Sequence, residues 1–131
     1  EGFVYAIEPI VPILNILKKN TRNLSNVKIL PFALGSENKS VTMGNNSKII
    51  RGFFASGSNF VLDDNVTKEK HAASEFNAEM KKGSELFKDL KKLDFIKIDV
   101  EGYEPVIVTE MESIIMKFKP TMLIEYSCPQ N

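Results

Sequence analysis

The sequence has no tryptophan, a single cysteine (Cys128) and a single histidine (His71) in 131 residues. One cysteine excludes an internal disulfide and leaves no thiolate cluster for a metal. That usage fits a reducing compartment, and a cytoplasmic location is the expectation. Net charge is lacking as well, since 17 basic and 17 acidic side chains give a formal net charge of +0. Without a global field the chain exerts no long-range pull on nucleic acid or an anionic membrane. Pairs such as Lys18-Lys19 and Lys91-Lys92 read as solvated helix ends. No apolar run approaches the ~18 residues that a membrane-spanning helix needs, and no secretory leader is expected. Four Asn-X-Ser/Thr sequons, at Asn23, Asn38, Asn45 and Asn65, read as chance in a chain rich in Asn and Ser. Also absent is a G-x-G-x-x-G turn between a strand and a helix, which Gly35, Gly44, Gly52 and Gly57 do not form.

What is present has the make-up of one globular domain: 43% hydrophobic and 26% charged residues. A chain of this length buries roughly two-thirds of its unfolded surface, enough for one core. Phe3-Val4-Tyr5-Ala6-Ile7 is a nearly continuous apolar run, as in strands buried on both faces of a parallel sheet. It already begins at the third residue, and the first is Glu1 rather than Met, so the chain is expected to be a segment of a longer protein. Pro12 suits the first turn of a helix whose stripe is Ile13, Leu14 and Leu17 and whose end is Lys18-Lys19-Asn20. A second strand follows at 27–32 and a short one at 41–43. Strand, helix and strand with short connections predict an α/β fold. From 44 to 73 the periodicity dissolves into Gly, Ser, Asn and charge, the mark of a variable loop or lid, though Phe53, Phe54 and Phe60 argue against disorder. Ser84 is a candidate helix cap ahead of Leu86, Phe87 and Leu90. A third strand, 95–98, precedes a helix with the clearest period of all: Tyr103, Ile107, Met111, Ile114 and Phe118, started by Pro105 and stopped by Pro120. The last strand is 121–126.

Ligands of open parallel sheets lie beyond the carboxyl ends of the strands, so the polar residues there carry the functional reading. Glu8 ends the first strand, where a carboxylate accepts hydrogen bonds from both hydroxyls of a ribose or else caps the next helix. Asp99 and Glu101 end the third strand, just before Gly102, where they suit a substrate hydroxyl, a cation or the following helix N-terminus. No histidine accompanies them, which speaks against a metal-bound acid pair. His71, the one imidazole, is a further candidate base, but its neighbours Lys68, Glu69 and Lys70 equally suit a solvated loop.

Ile96-Lys97-Ile98-Asp99-Val100-Glu101-Gly102-Tyr103-Glu104 resembles the hallmark of the FkbM family of methyltransferases. Tyr5-Ala6-Ile7-Glu8-Pro9 with its helix, 26–35 ending in Ala33-Leu34-Gly35, and 119–125 resemble further segments of that family, in family order. The resemblance implies a partial Rossmann-like fold, a mostly parallel sheet flanked by helices with its first strand missing, in one partial domain over 1–131. It implies S-adenosylmethionine as cofactor and O-methylation of a small-molecule or carbohydrate acceptor. On this reading Glu8 and Pro9 lie at the cofactor ribose, Phe32, Ala33 and Leu34 at the adenine, and Asp99 where the methionine end meets the acceptor. Glu101 is a second catalytic candidate, and Ser56, Ser58 and His71 belong to the acceptor side. The missing glycine-rich loop departs from the family, so the chain alone is expected to be marginally stable, to hold cofactor poorly and to be inactive. The alternatives are an NAD-dependent sugar-modifying enzyme, whose ribose Glu8 serves as well, and a non-catalytic α/β module.

Overall fold

The computed structural model describes residues 2–49, 58–63, 65–67 and 71–125. Strand β1 (Val4–Ile7) pairs in parallel with β2 (Val27–Leu30), in register from Val4↔Val27 to Ile7↔Leu30. Helix α1 (Val11–Thr21) crosses between them with Pro12 in its first turn. There the fixed φ of proline is already helical and its missing N–H is not needed. Lys18 and Lys19 occupy the last turn, where cations meet the negative end of the helix dipole. A second parallel pair joins β7 (Phe95–Ile98) to β8 (Thr121–Ile124).

Between β7 and β8 the single helix expected from the apolar period is two helices, α3 (Glu104–Glu110) and α4 (Glu112–Phe118). The break is Met111, at φ −88 and ψ 7. The stripe survives it, since Tyr103, Ile107, Met111 and Ile114 are all buried. Lys119 closes α4 in the left-handed conformation at φ 50, and Pro120 cannot continue the helix.

A third sheet combines β3 (Ala33–Leu34), β4 (Lys39–Asn45), β5 (Asn59–Val61) and β6 (Ser74–Lys81) in the order β3-β6-β4-β5. Only β3 and β6 run parallel in it; β4 is antiparallel to both neighbours. Strand β6 went unread in the sequence, yet its alternation is regular: Phe76, Ala78 and Met80 turn to the core while Glu75, Asn77 and Glu79 are exposed. Short helix α2 (Gly83–Leu86) follows. Ser84 is not its cap; the capping position is Lys82, and Ser84 instead donates through backbone and hydroxyl to Glu110 on α3.

The sheet expected to be mostly parallel is therefore three small sheets, one of them mixed. In the ladders, Val4 N–H and Glu8 N–H donate to the carbonyls of Asn26 and Leu30, and Thr121 N–H and Glu125 N–H to those of Asp94 and Ile98. In a parallel ladder alternate residues face opposite edges, so Tyr5, Ile7, Phe95 and Lys97 turn their backbone groups away from their partners. Among the described residues no strand pairs with those second edges. One buried cluster nevertheless joins all three sheets, with Ile10, Ala33, Met80, Phe87, Ile98 and Tyr103 among its members. No helix among the described residues is long and apolar enough to cross a membrane.

Candidate functional site

Three strand ends converge on that cluster. Ile10 lies two residues beyond Glu8, Ala33 follows the end of β2, and Ile98 is the residue before Asp99. Glu8 is half-buried, and its Oε1 accepts the backbone N–H of Ile10 at 2.8 Å, tying the carboxylate to the start of α1. Burial pushes its carboxyl above the ordinary value of 4.5, against the opposing pull of that hydrogen bond. Pro9, Val11, Leu14 and Pro31 line an open groove of about 590 Å³ together with residues of β4 and β6. Phe32 is partly buried with Lys81 Nζ 5.7 Å from its ring centre. Ala33 is buried in register with Met80, and Leu34 is partly buried beside Lys81.

Asp99 is exposed, and its Oδ2 lies 3.0 Å from Nζ of Lys97, two residues earlier on the same face of the strand. Beyond it the chain reverses through two consecutive left-handed residues, Glu101 at φ 56 and Gly102 at φ 104. Such a φ is free for glycine and strained for glutamate. Glu104, only 4% exposed, reaches back into this turn and accepts from Val100 N–H at 3.1 Å and Gly102 N–H at 2.9 Å. Tyr103 is 2% exposed, and its hydroxyl donates to Asp63 Oδ2 at 3.0 Å. Asp63 heads the turn after β5: its Oδ1 accepts from Asn65 N–H and its carbonyl from Thr67 N–H. The N–H of Asn65 is the main reason its carboxyl is lowered.

The structure thus brings Glu8, Pro9, Phe32, Ala33, Leu34, Asp99 and Glu101 to the ends of β1, β2 and β7. Ser58 is partly buried just before β5 and His71 is exposed before β6. Ser56 lies outside the described residues. Three participants were not singled out as site residues in the sequence. Asp63 carried an Asx-turn signal in Asp63-Asp64-Asn65. The Tyr103 hydroxyl was hidden within a helix stripe, and the Glu104 carboxylate within the hallmark string.

Burial first, and then the bond to Asp63, pushes the Tyr103 hydroxyl from 10.0 up to about 12. Between those values the unfolded chain loses this proton while the folded chain keeps it, so stability falls across that interval. Tyr103→Phe is expected to remove that alkaline loss and to cost about 1 kcal/mol at neutral pH. Urea midpoints measured at neutral pH and above pH 10 check both signs.

Acidic side chains thus stand at the carboxyl ends of the parallel strand pairs, around a shared apolar cluster, in a mixed α/β fold. The chain belongs to the FkbM methyltransferase family, whose domain profile (Methyltransferase FkbM domain) matches residues 1–130. No curated protein and no solved structure matches it.

Proposed function

We propose that this domain transfers a methyl group from S-adenosylmethionine to a hydroxyl of a sugar or another small-molecule or glycan acceptor. The observation that carries this reading is a pair of strand-end acids in contrasting settings, in a chain of a methyltransferase family. Glu8 is half-buried and Asp99 is exposed. A half-buried carboxylate suits the vicinal hydroxyls of a ribose, since its oxygens accept both while water is partly excluded. Phe32, Ala33 and Leu34 offer an apolar flank and backbone groups for a purine, with Pro9 beside them. When bound, the cofactor supplies a methyl group already activated on a sulfonium.

The protein's share is alignment and the proton. Asp99 would orient the acceptor hydroxyl and take up its proton as that oxygen receives the methyl group. Lys97 holds the Asp99 carboxylate through their ion pair, which orients it at the strand end. Glu101 contributes from the adjoining turn. The acceptor side is the 44–73 stretch with Ser56, Ser58 and His71. The bond from Tyr103 to Asp63 supports this by tying the turn after β5 to the 99–103 loop. Because these 131 residues hold no glycine-rich turn, their own hold on cofactor is weak, and the chain by itself is inactive.

The test is a two-dimensional amide NMR titration of the chain with S-adenosylhomocysteine to millimolar concentration, repeated with NAD. Shifts at Glu8, Ile10, Ala33, Leu34 and Asp99 with the first ligand and none with the second are expected. Response to NAD alone transfers the site to a nicotinamide enzyme. Silence with both favours a non-catalytic module.

A further inference from the structure

Glu104 is the buried acid of the described residues, and its partners are unusual for the first residue of a helix. An acid at a helix start ordinarily serves the free amides of that helix's own first turn. Here the carboxylate turns the other way. Oε1 accepts from Val100 N–H at 3.1 Å and Gly102 N–H at 3.2 Å, and Oε2 from Gly102 N–H at 2.9 Å. Both donors lie outside α3, in the reversal that links β7 to it.

That reversal does not hold itself. Glu101 at φ 56 occupies a conformation that L side chains resist, and such a residue persists only where its surroundings over-determine it. The Glu104 carboxylate contributes to this from both sides of Glu101: without it two amides of a part-buried turn lose their acceptor. Both amides are thus satisfied from within the chain. The residues flanking the clamped amides are Asp99 and Glu101.

We infer that Glu104 is a positioning residue for methyl transfer, acting through Asp99 and Glu101 by fixing the turn between β7 and α3; this rests on the methyltransferase reading above. The carboxylate touches neither ligand nor acceptor. It sets the direction in which the two acids leave the end of β7.

Glu104→Gln tests it with two readouts. The amide carbonyl can keep the Oε1 place, which serves both donors, and its NH₂ then stands in the Oε2 place, against the Gly102 N–H. Without ligand, hydrogen exchange at Gly102 is expected to speed about tenfold relative to Ile114 on α4, the effect of losing one charge-assisted hydrogen bond, with a smaller rise at Val100 as the remaining acceptor loses its charge. With S-adenosylhomocysteine, the shift of the Asp99 amide is expected to disappear while those of Glu8 and Ala33 remain. Ile114→Val, a mild cavity on the opposite helix, controls for general loosening and is expected to retain all three shifts. Unchanged exchange overturns the inference, and so does faster exchange with the Asp99 response intact, because the carboxylate is then structural alone. If E104Q does not fold, Glu104→Asp keeps the charge, shortens the reach by one methylene and is read in the same way with a smaller change. If the wild-type chain shows no shift at Glu8, Ala33 or Asp99, the methyltransferase reading is what fails. Exchange at Val100 and Gly102 then decides the clamp by itself.

Discussion

Phe60→Ala is expected to lower the unfolding free energy by about 4 kcal/mol, within the range for deleting a buried aromatic ring. The domain as a whole holds about 5–15 kcal/mol, so the variant sits near the edge of folding. Phe60 is 0% exposed although β5 is only three residues long. Its ring is buried because the opposing residue in the ladder is Gly44. A Cβ at Gly44 would lie 2.8 Å from Phe60 Cε2 and 2.9 Å from Ala72 Cβ, closer than real contacts allow. The absent side chain on β4 is thus the seat of the ring on β5. Gly44→Ala by itself is expected to cost about 1–3 kcal/mol through overpacking. The pair are neighbours, so their effects should not add: in Gly44→Ala/Phe60→Ala the new methyl enters space vacated by the ring. A double variant clearly less destabilised than the sum of the two singles, by urea unfolding, is the expected result. Strict additivity would show that the ring draws its burial from elsewhere.

The same strand separates what local pattern conveys from what it cannot. The runs at 3–7, 27–32, 95–98 and 121–126 pointed to the strands found at Val4–Ile7, Val27–Leu30, Phe95–Ile98 and Thr121–Ile124, because continuous apolar residues leave few other arrangements. Pro12, Pro105 and Pro120 marked helix starts and a stop by their fixed φ. Strand β6 was equally encoded, by Phe76, Ala78 and Met80 alternating with acids and Asn77. It was passed over because a half-polar strand beside an aperiodic stretch resembles surface sequence. The break at Met111 left no trace, since Ile107, Met111 and Ile114 keep their spacing on both sides of it. Nor does any run record its partner. That among the described residues β1 joins β2 and β7 joins β8, and that β4 makes the third sheet mixed, are facts of long-range pairing.

The candidate site divides along the same line. Glu8 and Asp99 could be read because a strand end fixes where a side chain stands relative to the sheet. The Lys97 partner of Asp99 was within reach too, by the two-residue period of one strand face. The roles of Tyr103 and Glu104 could not be read, because each depends on geometry that spacing does not carry. The hydroxyl of Tyr103 finds Asp63 forty positions away. The carboxylate of Glu104 is useful only once Glu101 and Gly102 have taken positive φ. An apolar period assigned Tyr103 to the core correctly and said nothing of its polar tip.

Glu8→Gln is expected to separate binding from stability, with opposite signs. Loss of charge-assisted acceptance from a ribose diol should weaken S-adenosylhomocysteine binding about 10- to 100-fold, followed at the Ala33 amide. Stability should move the other way. Burial raises the Glu8 carboxyl in the folded chain, so folding favours its protonated form. Its contribution to stability is full below the unfolded value and is lost as pH rises through the folded one. At neutral pH the wild type therefore carries a half-buried charge that Gln does not, while the Gln oxygen can still accept from Ile10 N–H. Glu8→Gln should match the wild type in acid and be the more stable at neutral pH, as measured by thermal unfolding. Ligand binding by the wild type should strengthen as pH climbs above 4.5 through the raised titration of Glu8, and should lose that dependence in the variant. A stabilised, pH-insensitive and poorly binding variant identifies Glu8 as an acid retained for its ligand at a cost in stability. A destabilised variant with unaltered binding would reduce Glu8 to a tie for the first turn of α1.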